Sequence, residues 1–334
     1  EIYDGHFPPK DLFLDQSLPN IYPPLPPLIL SAFIFVTQGD VVTGYLVALF
    51  VIPALIFLLF FWLGWMLFER KLTWAVFIGF LGILTPIPLI TSQIFFSLDN
   101  FVNIFLKNFY PGINTLLPLL FWSRIDYPLL TSLVYLPAIA LTVIFLEKPR
   151  PLIALTASAV SGLLFYTYFH IWSYWLVVGV IFAGGALVLL RKERTLLRNL
   201  FLMVFVVFLI SLPYFFNQFT LSRLPSYGEY INRLGIERGS FFRWEAWPHY
   251  LLYFLLAGAV YFFLWRDSKK RKRAIFWWAC LAAALVVWNA QLVLGFVPHS
   301  DHWPRSIDVI LFLIILDVGS SFLHTLINRR AWLT

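Results

Sequence analysis

Apolar residues run in long stretches along this chain, and polar residues are confined to the intervals between them. A membrane crossing takes roughly 20 predominantly apolar residues. Nine runs qualify: about 41–67, 73–94, 128–146, 151–169, 171–190, 199–216, 247–265, 274–296 and 307–327. Two further segments read as helices lying at the membrane surface. Residues 22–37, YPPLPPLILSAFIFVT, open with a Pro cluster that suits the first turn of a helix and then run out of apolar residues too soon to span. In 97–109, Phe101, Ile104, Phe105 and Phe109 fall at helical spacing, with Asp99, Asn103 and Lys107 elsewhere. There is no repeat of fixed period and no low-complexity linker, so residues 1–334 are expected to form one transmembrane domain.

The intervals alternate in charge. Arg70, Lys71, Lys148, Arg150, Arg191, Lys192, Arg194, Arg198, Arg266, Lys269–Arg273, Arg329 and Arg330 make sixteen of the 24 basic residues, all in short turns or just past the last apolar run. The other eight, Lys10, Lys107, Arg124, Arg223, Arg233, Arg238, Arg243 and Arg305, are spread over much longer segments. By the positive-inside rule the first set is cytoplasmic. Residue 1 is then expected outside and residue 334 inside, with loops 1–40, 95–127, 217–246 and 297–306 external. Twelve acids and five of six His (His6, His170, His249, His299 and His302) fall on that external side, so any chemistry belongs there. Since the chain begins at Glu1 with no initiator Met, it also reads as a fragment that lacks an upstream segment.

Composition agrees with lipid as the main solvent. Of 334 residues 60% are apolar and 12% charged, against roughly 45–50% and about 25% in soluble domains. Mean hydropathy is +0.82. One Cys, Cys280, excludes a disulfide framework, a CxxC pair and a thiolate zinc site. The net charge of +7 reads as topology signal, with no nucleic-acid partner, because the basic residues cluster between apolar runs. The expected fold is an all-α polytopic membrane protein of about nine transmembrane helices, in a cell membrane, with the bilayer as its first partner.

The N-terminal run DGHFPPKDLFLD…IYPPL carries more than topology. It resembles the first external loop of the GT-C class of integral-membrane glycosyltransferases, the group that contains oligosaccharyltransferases, protein mannosyltransferases and aminoarabinose transferases. In that group a first helix ending in an acidic residue precedes the motif, and here that helix is missing. The resemblance implies ten or more helices and one active site between the external loops and the bilayer. It also implies transfer of a sugar from a polyprenyl-phosphate donor to an acceptor, in some members with a divalent cation.

Such a reaction needs a carboxylate to deprotonate or orient the acceptor. Asp11 and Asp15 are the candidates, against the alternative of a solvated loop. Asp4 and His6, beside Gly5 and Pro8, read as turn residues. Asp99 stands where the family often has a second acidic motif, and equally suits a helix N-cap. The developing phosphate charge needs cationic or hydrogen-bonding groups. In GFVPHSDHWPRSIDV, His302 and Arg305 are three apart at a helix start, where both can face one phosphate, or Trp303 and Arg305 are interface anchors. His170, in an outer turn among aromatics, reads as a belt residue or as part of the active face. Arg233 and Arg238 are further phosphate candidates within a loop whose mixed charges also suit surface pairing. A cation would find His299, Asp301 and His302, or Asp99, as ligand types. Asp317, inside the last apolar run, is expected to bond a neighbouring helix. The function expected is glycosyl transfer at the external face; a transporter or lipid-linked-saccharide flippase, or an inactive scaffold, is the alternative.

Overall fold

The computed structural model describes residues 23–84, 129–225, 227, 236–298 and 302–330. The helix expected over 22–37 is α1, Leu25–Val36, with a proline at its start where the missing N–H has no intrahelical partner to lose. Gln38 and Gly39 turn the chain with φ of 57° and 91°. Asp40 then caps α2, Val41–Leu67, by accepting from the Val42 and Thr43 amides at 3.0 and 3.1 Å and from the Thr43 hydroxyl at 2.6 Å. A tight turn with Glu69 and Arg70 at positive φ sends α3, Leu72–Leu84, back along α2. Gly64 makes that return possible, because a Cβ there would lie 2.9 Å from the Ile78 side chain.

The remaining helices are α4 (Thr131–Glu147), α5 (Pro151–Leu163, continued by a 3-10 turn to Tyr166), α6 (Phe169–Leu189) and α7 (Arg194–Leu221). They are followed by α8 (Trp247–Val260, continued by a π turn to Trp265), α9 (Arg271–Trp288), the single turn α10 (Gln291–Leu294) and α11 (Trp303–Arg330). Each of the nine expected apolar runs overlaps a described helix, the run 73–94 as far as residue 84. Five are long and apolar enough to cross a membrane: Val41–Leu67, Phe169–Leu189, Arg194–Leu221, Trp247–Trp265 and Trp303–Leu326. The others differ for identifiable reasons. The apolar part of α5 breaks into a 3-10 turn, α4 is 17 residues long and mostly buried, α9 opens on Arg-Lys-Arg, and α3 is described only to Leu84. The second surface helix expected over 97–109 lies outside the described residues.

Packing places α11 at the centre, in contact with α2, α6, α8 and α9. Of its apolar window 61% is buried inside the protein, against 22% for α7, which turns most of its surface outward. The all-helical expectation has one exception among the described residues. Ile236–Arg238 (β1) and Phe296–Pro298 (β2) form a two-stranded antiparallel ribbon in which Glu237 faces Val297. The ribbon ties the loop 217–246 to the loop before α11.

The turns gather at two ends of the bundle as their charge predicts. At the basic end Lys272 pairs with Glu193 at 2.9 Å, Arg273 with Glu147 at 3.3 Å, and Ser320 donates to the Leu67 carbonyl at 3.0 Å. Asp317, fully buried toward the same end, accepts from Trp277 Nε1 at 2.8 Å; Arg273 Nε lies 2.8 Å from the same oxygen, a salt bridge whose N–H is not aligned for a hydrogen bond. The bond to a neighbouring helix expected for Asp317 is therefore present, on α9.

Candidate functional site

The opposite end of the bundle collects most of the described candidate residues. Where α5 stops, Thr167 donates through both its amide and its hydroxyl to the Leu164 carbonyl, at 2.9 and 2.6 Å. That hook leaves Tyr168 extended (φ −71°, ψ 136°) immediately before α6, with His170 buried in the first turn. Across from it, α11 begins at Trp303. Two anchors hold this start: Trp303 Nε1 donates to Ser173 Oγ of α6 at 3.2 Å, and the Tyr135 hydroxyl of α4 donates to the Ser306 carbonyl at 3.2 Å.

These anchors join two sequence candidates that lie 132 residues apart. The ring centroids of His170 and His302 are 5.1 Å apart, and His170 is also 5.1 Å from Trp303 in an edge arrangement. Tyr168 stacks near both histidines, at 5.4 and 5.7 Å, and its hydroxyl hydrogen-bonds His302 Nδ1 at 3.0 Å. His302 and Arg305 are half-buried one helical turn apart. The two histidines thus sit among aromatic rings at the mouth of the central helix.

Asp308, one turn further into α11, is 3% exposed, and its carboxyl is an electrostatic neighbour of the Tyr253 phenol on α8. Tyr253 in turn accepts from Trp288 Nε1 at 3.0 Å, and His249 packs on Trp288 with ring centroids 5.1 Å apart. His249 Nδ1 and Gln291 Oε1 are buried without a hydrogen-bond partner among the described residues. Asp308 falls in the sequence inside the apolar run 307–327, and that place agrees with its burial.

Arg243 needs a correction. Its mixed-charge surroundings suggested surface pairing, whereas it is 8% exposed. The Tyr250 hydroxyl donates to its carbonyl at 3.0 Å, its amide donates to Asn289 Oδ1 at 3.4 Å, and Gln291 Nε2 donates to the Phe241 carbonyl at 2.9 Å. The segment 241–243 is thereby folded down onto the ends of α8 and α9. Burial of this sort depends on partners far along the chain, so no local pattern announces it.

Asp11, Asp15, Asp99, Asp301 and Arg233 lie outside the described residues, and of Arg238 only the backbone, in β1, is described. Among the described residues no group of three or more His, Cys, Asp or Glu side chains is arranged to hold a metal ion. What the described cluster offers is a buried carboxyl, two juxtaposed imidazoles and an arginine at one end of an apolar bundle. No protein-family model, curated protein or solved structure matches this chain.

Proposed function

We propose that this chain is a membrane glycosyltransferase of the GT-C kind, which takes a sugar from a polyprenyl-phosphate donor at the end of the bundle opposite the basic turns. In this reading all nine apolar helices cross the membrane, and the basic end faces the cytoplasm. An acceptor oxygen or nitrogen bonds to the anomeric carbon, the bond from that carbon to the phosphate oxygen breaks, and the acceptor's proton passes to a carboxylate. Asp11 or Asp15 is the proposed base. His302 and Arg305, supported by His170, take up the charge left on the polyprenyl phosphate. Arg233 and Arg238 are the secondary candidates for this role, and a divalent cation remains compatible with the chemistry.

The observation that supports this reading best is the meeting of His170, Tyr168 and His302 at the mouth of α11. A lipid-phosphate donor leaves its head group at the interface while its chain stays in lipid, so its donors must be fixed where a helix enters the membrane. A flippase would set polar groups along a path through the middle of the bundle, whereas Asp317 is engaged by Arg273 and Trp277. The test is Arg305→Lys in a polyprenyl-phosphate-sugar transfer assay. The planar guanidinium holds phosphate oxygens bidentately and an ammonium does not, so donor use should fall by at least tenfold, about 1.4 kcal/mol. Unchanged kcat and KM would remove this cluster from the donor site.

A further inference from the structure

At the basic end, the acids and the cations are unequally shared. The two acids in the turns flanking α5 and α6, Glu147 and Glu193, are both committed to α9, through Arg273 and Lys272. That leaves Arg150, Arg191, Lys192, Arg194 and Arg198 exposed, and no carboxylate pairs with any of them among the described residues. Arg194 and Arg198 are four apart on α7, so they lie one above the other on a single face. Like charges so placed repel, and no acid among the described residues relieves them.

Beside this stack a cleft of about 330 Å³ opens between α5 and α7, lined by Pro151, Arg198, Asn199, Phe201, Leu202 and Phe205. That is at the lower end of the roughly 300–1,000 Å³ typical of small-ligand sites. Asn199, in its lining, donates through Nδ2 to the Pro149 carbonyl and so ties α7 to the start of α5 beside the cleft. Its polarity is graded along the helix axis. Arg198 stands at the mouth, Arg150 directly precedes Pro151, and Phe201 and Phe205, 74% and 49% exposed, lie further into the apolar zone.

From this gradient we infer that the cleft between α5 and α7 binds an anionic phospholipid, its phosphate between Arg198 and Arg194 and one acyl chain along Phe201, Leu202 and Phe205. A soluble anion would satisfy the arginines and leave the aromatic wall unused. A zwitterionic lipid would fill the wall and leave the like-charge stack unrelieved. The site is independent of the glycosyl-transfer reading, because it lies at the other end of the bundle and uses none of the same residues.

The full chain, purified in detergent with phosphatidylglycerol or phosphatidylcholine, can be examined by native mass spectrometry for retained lipid. Wild type should keep phosphatidylglycerol in preference to phosphatidylcholine. Each basic residue near a membrane surface contributes about fivefold to anionic-lipid affinity, so Arg198→Gln should lose about fivefold and the Arg194→Gln, Arg198→Gln pair about twenty-five-fold. Leu202→Trp, which fills the cleft and keeps every charge, should also reduce retention. The control is Lys269→Gln with Arg271→Gln, exposed cations in the α8–α9 turn and at the first position of α9. Equal retention of the two lipids by wild type would overturn the inference, as would a loss in the control as large as in the α7 pair, because charge anywhere on that end would then suffice.

Discussion

At the scale of single residues, the informative contacts are those that orient a side chain. Tyr168 makes one with His302. Its hydroxyl donates to Nδ1 when that nitrogen is bare and accepts from Nδ1–H when it carries the proton. Either way the bond fixes the ring's orientation. Tyr168→Phe keeps the stacked rings and removes the bond, so stability should fall by about 0.5–1.5 kcal/mol, and in the proposed reaction donor KM should rise without loss of fold. A variant with wild-type melting and kinetics would show that His302 is held by its neighbours alone. Asp40, which is exposed, is a second case. Hydrogen bonds from the Thr43 hydroxyl and amide hold its carboxyl below the usual carboxylate range. A depressed folded pKa means the cap stabilises α2 above the ordinary Asp value of about 3.9 and is lost as pH falls through the lower folded value. Asp40→Asn, which can still cap, should therefore flatten the acid limb of the melting curve while leaving melting at neutral pH nearly unchanged, a difference readable by thermal unfolding across pH.

At the scale of elements, the hydropathy pattern locates helices well and ranks them poorly. The apolar window of α7 has a mean hydropathy of 2.3 and that of α11 has 2.1, yet the first faces outward and the second forms the centre. Lipid and protein core are equally apolar, so a membrane helix carries no strong polar stripe to say which side packs. What distinguishes α11 is its polar minority: Asp308 and Asp317 are tolerable because α8 and α9 cover them. The same logic explains what was legible at the candidate site. The pairing of His302 with Arg305 follows from spacing on one helix, whereas the approach of His170 and the burial of Arg243 require tertiary contacts through Ser173, Asn289 and Tyr250. The Asp317 junction can be tested by removing one side of it. Asp317→Leu leaves Arg273 in a buried position with only Glu147 as acidic partner among the described residues, a loss of about 3–5 kcal/mol. Adding Arg273→Met removes the stranded charge as well, so the double variant should recover part of that loss in denaturant unfolding. A double variant as unstable as the sum of the singles would mean that the two side chains act separately.

At the scale of the whole molecule, charge and contact agree on how the chain is arranged. The turns rich in Lys and Arg were expected on one side because short cytoplasmic loops retain basic residues. Independently of that rule, Lys272–Glu193, Arg273–Glu147 and Ser320–Leu67 gather those turns at one end of the bundle. The ribbon between β1 and β2 and the Trp303–Ser173 bond gather the other turns at the opposite end. Helices as long as the 28 residues of α7 separate the two ends, and the proposed topology puts the basic end in the cytoplasm. Ser222, just past the end of α7, and Lys269, in the α8–α9 turn, are both exposed and lie at opposite ends. Cys280 is buried, so single cysteines introduced at those positions can be read with little background. In intact cells an impermeant maleimide should label Ser222→Cys and spare Lys269→Cys until the membrane is opened. Labelling of both from outside would place the basic end and the His170–His302 cluster on one side, and the proposed external site would fall with the topology.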